Sequence, residues 1–63
     1  MIDWQRRLCD EHQQLKEKIE KLIAFLNEGA TTVTPEDKLL LTVQLLAMRQ
    51  YDEILAMRVS RFT

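Results

Sequence analysis

One glycine and one proline, Gly29 and Pro35, are the only residues of their kind in 63, and both fall inside GATTVTPED. The segments on either side therefore run without a helix breaker, and the spacing predicts two long helices joined by one short turn. In the first segment Trp4, Leu8, His12, Leu15, Ile19, Leu22 and Leu26 recur at steps of four and three, which draws a single stripe along a helix. The turn chemistry agrees with that division. Gly29 lacks the Cβ that penalises a left-handed conformation and is expected to close the first helix in that way. Thr34 is placed to cap the second helix, Pro35 has no N–H to leave unpaired, and Glu36 and Asp37 face the positive end of the helix dipole. The expectation is a single all-α domain over 1–63, with a helix over about 2–28, a turn over about 29–34 and a helix over about 35–62.

The second helix differs from the first in having two apolar faces. Leu41, Leu45, Met48, Asp52, Leu55, Val59 and Phe62 form one seam, and Leu40, Val43, Ala47, Tyr51, Ile54 and Met57 form another beside it. A tight turn between such long helices produces an antiparallel hairpin, so one seam is covered by the first helix. That register sets Leu22 near Leu41, Ile19 near Leu45, Leu15 near Met48 and Leu8 near Leu55. It also sets His12 near Asp52, the only polar member of each seam. Their expected role is a structural pair that fixes register, because a polar group in an apolar seam needs a partner. The second face finds no partner within the chain, and further copies of the protein are the expected cover.

Composition narrows function by exclusion. Nine Lys and Arg balance ten Asp and Glu, so coating of long nucleic acid through overall charge is not expected. No helix-turn-helix signature precedes a short recognition helix. Cys9 is the only cysteine, which excludes an internal disulfide and a multi-cysteine zinc site and points to a reducing, cytoplasmic location. The least polar stretch, LLLTVQLLAM, is half the length of a membrane span of about 20 residues. A catalytic triad cannot be assembled either, because Ser60 lies about 12 Å along the helix from Asp52. The expected protein is neither an enzyme nor a cofactor or metal carrier.

Folding the chain back brings MRVSRFT beside DWQRRL. Arg6, Arg7, Arg58 and Arg61 then gather at the open end of the hairpin, flanked by Trp4 and Phe62. Arginine presents a planar fork of donors suited to phosphate, and an aromatic ring presents a face on which a base can stack. The competing account is that these arginines cap the last carbonyls of the second helix and pair with Asp3, Asp10 or Glu11. Lys16, Lys18 and Lys21 alternate with Glu17 and Glu20 and read as a solvated face, unless another subunit docks there.

These residues also carry a resemblance. WQRRLCDEHQQLKEKIEKLIAFL, a short Thr/Pro turn and LLLTVQLLAMRQYDEILAMRVSRF together resemble the hairpin domain of bacteriophage anti-CBASS and anti-Thoeris nucleotide sponges, over nearly the whole chain from Trp4 to Phe62. The resemblance implies a symmetric homo-oligomer, often a hexamer, that traps cyclic dinucleotide or trinucleotide signals in the bacterial cytosol without cleaving them. It supplies no residue map. On chemistry, Trp4 is the expected stacking platform and Arg7 and Lys21 the phosphate partners, with Arg58 and Arg61 as second choices. Longer members continue past the position of Phe62, so any element that completes a pocket there is expected to be absent. A self-associating adaptor whose second face captures a protein helix is the alternative.

Overall fold

The computed structural model describes residues 1–63, apart from the side chain of Ala30. Two α-helices of 26 residues each, α1 (Asp3–Glu28) and α2 (Pro35–Ser60), are joined by a 3₁₀ turn over Ala30–Thr32. Each helix is about 39 Å long at 1.5 Å per residue. The molecule measures 44 × 15 × 14 Å, so the helices lie side by side along one axis, and the contacts between their far ends make them an antiparallel hairpin.

Local chemistry sets both ends of the turn. The Thr34 hydroxyl accepts from the Asp37 N–H at 3.1 Å, with Pro35 at the first helical position and Glu36 and Asp37 in the first turn. At the start of α1 the Gln5 side-chain carbonyl accepts from the Ile2 N–H at 3.3 Å, while the Ile2 side chain has no acceptor to return the bond. Gly29 departs from the expected left-handed cap. Its φ of −116° and ψ of 0° lie on the right-handed side, and none of the described residues has positive φ. The helix tightens directly into the 3₁₀ turn instead, with the Gly29 N–H donating to the Phe25 carbonyl at 2.8 Å and the Thr32 hydroxyl donating to the Gly29 carbonyl at 3.3 Å. What Gly29 provides is room, since a Cβ there would stand 3.1 Å from Cδ1 of Phe25.

The core is thin. Leu8, Leu15, Ile19 and Leu55 are buried, Leu55 completely, and Ile23, Leu45, Met48, Val59 and Phe62 pack partly buried around them. Full burial of one leucine is worth roughly 1.5–3 kcal/mol, so four such residues hold the hairpin with little to spare. Near the turn Leu22 and Leu41 are only half-buried, and Ile23 joins the seam in place of a strict continuation of the stripe. In the middle, His12 Nε2 stands 3.0 Å from Asp52 Oδ1. Both atoms are shielded from water, and their close approach is not an aligned hydrogen bond.

Candidate functional site

Trp4 belongs to the first turn of α1 and Phe62 follows the last turn of α2, and the hairpin register brings their rings to 5.6 Å at an interplanar angle of 82°. In such an edge-to-face pair one ring keeps both faces and the other keeps one. Trp4 remains 51% exposed, so aromatic surface stays open to a stacking group. The two rings border an open cleft of about 430 Å³, lined by Trp4, Gln5, Leu8, Arg58, Arg61 and Phe62. That volume falls within the range of about 300–1,000 Å³ typical of small-molecule sites. Leu8 forms its apolar floor and the two arginines its basic wall.

The arginines are electrostatically unspent. Among the described residues no arginine forms an ion pair, and no guanidinium donates a hydrogen bond within the chain. The carbonyls of Met57, Arg58 and Val59 at the end of α2 are satisfied by other groups. The Ser60 hydroxyl donates to the Met57 carbonyl at 2.7 Å, the Thr63 hydroxyl to the Val59 carbonyl at 3.0 Å, and the Arg61 and Phe62 N–H groups to the Arg58 and Val59 carbonyls. The account in which Arg58 and Arg61 cap α2 or pair with Asp3, Asp10 or Glu11 therefore does not describe this molecule. Like charges held in proximity without a counter-charge favour an anion among them.

The remaining candidates divide. Arg7 is exposed on α1 about one helical turn from Trp4 and is not part of the cleft lining. Lys21 is exposed and sits 17 residues beyond Trp4 on α1, about 25 Å along the axis. Within one chain it cannot meet a ligand held between Trp4 and Arg58. Gln5 lines the cleft and was not singled out in the sequence; its position beside Trp4, facing the returning helix, was the available signal. His12 and Asp52 lie two turns deeper in the seam, outside the cleft. Cys9 is a free, partly buried thiol, and among the described residues no three His, Cys, Asp or Glu side chains gather in a manner suited to a metal ion.

A family model described as Sequestin matches residues 2–61, nearly the entire chain. The chain belongs to the Sequestin family. No curated protein and no solved structure matches it significantly. The span of the Sequestin match includes both helices, the turn, and every residue lining the cleft except Phe62. The family thus corresponds to the hairpin itself, with its open end. Among the described residues no helix is long and apolar enough to cross a membrane.

Proposed function

We propose that this Sequestin, as a homo-oligomer, binds cyclic oligonucleotide second messengers at the open end of its hairpin and sequesters them without cleavage. The observation that carries this reading is the pair of unpaired guanidinium groups, Arg58 and Arg61, beside the half-exposed Trp4 and Phe62 in one cleft. A cyclic di- or trinucleotide presents what those groups recognise: phosphodiester anions for the arginines and flat bases for the rings. The family's name, which denotes sequestration, and the resemblance to nucleotide sponges point the same way. Trp4 is the stacking platform and Arg58 and Arg61 the phosphate partners, with Arg7 about one helical turn from Trp4. Lys21 contributes only where a second subunit delivers it. Sequestration in place of turnover fits a cleft whose lining holds no carboxylate, imidazole or thiol to move a proton. The setting is the cytosol of a bacterial host during phage infection.

Isothermal calorimetry with a panel of cyclic dinucleotides, cyclic trinucleotides and cyclic ADP-ribose isomers tests the proposal. Binding of at least one, with the ligand recovered chemically intact after the protein is denatured, is the expected result. Absence of heat across the panel at high micromolar protein, or recovery of a linearised product, overturns it. The exposed apolar face of α2 supports a second reading, a self-associating adaptor that holds a protein helix, which predicts a stoichiometric protein partner and no nucleotide binding.

A further inference from the structure

The apolar surface of α2 that faces away from α1 is extensive. Leu39, Leu40, Val43, Leu46, Tyr51, Ile54 and Met57 are all exposed, Leu40 by 66% and Met57 by 61%. At about 100° per residue this face is centred roughly 155° around the helix from the buried seam, so a partner that covers it lies on the far side of α2 from α1. Within it one stripe keeps alternating steps of three and four: Glu36, Leu40, Val43, Ala47, Gln50, Ile54, Met57, Arg61. Arg61 lies just past the helix in the capping turn, with φ −72° and ψ −17°, so it continues the spacing of the stripe while its side chain also lines the cleft. Its length is about three and a half heptads, in the range at which such spacing marks a coiled-coil seam.

The order of residues in the stripe reads sensibly in only one direction. Laid antiparallel on a second copy, Glu36 meets the partner's Arg61, Leu40 the partner's Met57, Val43 the partner's Ile54, and Ala47 the partner's Gln50. Opposite charges close both ends, large apolar groups meet in the flanks, and each Ala47 faces Gln50, the one uncharged polar side chain of the stripe. Laid parallel, Glu36 meets Glu36, Arg61 meets Arg61 and Gln50 meets Gln50, which sets like charges together at each end. The dipoles of two helices also favour the antiparallel arrangement.

The geometry points to an antiparallel α2–α2 homodimer, with its twofold axis passing between Met48 and Arg49, as the unit from which this protein assembles. The occupant of the exposed face is a second copy of the chain, because the stripe is complementary in charge and size to itself reversed. The inference rests on the self-association in the proposed function and on nothing about the ligand. In this dimer the α1 helices lie outermost, and the open end of each hairpin sits beside the turn of its partner.

Ligand-free protein in a Cys9→Ser background provides the test. Native mass measured at about 100 μM reads self-association, and disulfide trapping reads direction. Mixing Val43→Cys and Ile54→Cys variants under mild oxidation is expected to give the mixed disulfide in excess over either homodimer. Both positions are solvent-exposed in the hairpin, so folding is undisturbed. Glu36→Arg or Arg61→Glu alone is expected to weaken the dimer about tenfold, two end pairs being reversed at once, and the double variant to restore it. A self-associated protein in which Val43→Cys cross-links to itself, or in which the double charge swap gives no rescue, overturns the antiparallel pairing and leaves self-association standing. A monomer at 100 μM overturns both.

Discussion

The His12–Asp52 contact gives the sharpest quantitative test of the hairpin. His12 is 18% exposed and Asp52 26%, with Nε2 and Oδ1 themselves shielded and 3.0 Å apart, and neither atom has a hydrogen-bond partner elsewhere. Replacing His12 by Leu leaves a carboxylate oxygen in the seam without a counterpart, a penalty of about 1–3 kcal/mol. Asp52→Leu leaves an imidazole in the same position and costs about 1 kcal/mol at the lower end of that range. The double variant H12L/D52L removes both polar groups and continues the leucine stripe through the gap. It should fall within about 0.5 kcal/mol of the parent, or above it, because the desolvation cost leaves together with the attraction. For a domain of this size about 1 kcal/mol moves Tm by roughly 4–8 °C. Thermal unfolding followed by circular dichroism, with all four proteins at one protomer concentration so that mass action does not intrude, measures the cycle. Two single variants that lose several degrees and a double variant that recovers them are the expected outcome. A double variant that loses the sum of the two single effects would show that the groups do not interact, and the assigned register would fail with it.

Three further outcomes follow from the coordinates. Leu55→Ala removes the one completely buried side chain and should cost about 2–5 kcal/mol, enough in so thin a core to abolish cooperative unfolding in a melt. Thr34→Ala deletes the bond from the Asp37 N–H and should cost about 1 kcal/mol, read as a drop of several degrees in Tm, whereas Thr31→Ala, which makes no such bond, should cost little. Trp4→Ala should weaken nucleotide binding by about 1–3 kcal/mol in calorimetry while leaving helicity intact; an unchanged affinity would remove the stacking role.

The hairpin was legible because its determinants are local. Two breakers in one nine-residue window, and steps of three and four on both sides, leave few arrangements open, and Thr34 with Pro35 admits only one helix start. The conformation of Gly29 was not legible for the same kind of reason. Glycine tolerates both hands of backbone, so its presence announces a helix end without stating how the end is made. Here the close approach of the Phe25 ring, a contact no sequence pattern displays, accounts for the residue. The cleft was legible to one turn's precision. The register brought Arg58 and Arg61 to Trp4, and these two line the cleft, whereas Arg7 and Lys21, placed ahead of them on chemistry alone, do not. Lys21 lies about 25 Å along α1 from Trp4, a distance that helical spacing already implies; what the fold adds is that the cleft lies at the Trp4 end.

An asymmetry between the helices connects the site to the assembly. α1 carries one apolar stripe and turns its remaining surface, dense in charge, to water; α2 carries apolar groups on two opposed sides. Association through α2, as proposed above, would leave α1 and the open end of each hairpin at the periphery, where the proposed nucleotide would reach the cleft without any subunit having to move. In the dimer proposed above Arg61 would belong to both surfaces, since it lines the cleft and ends the stripe that would pair with Glu36 of a second copy. One guanidinium cannot give its full set of donors to a phosphate and to a carboxylate at once. Arg58, which lines the same cleft but lies off the pairing stripe, is thus the arginine whose charge the ligand holds alone, and its loss should weaken nucleotide binding more than the loss of Arg61.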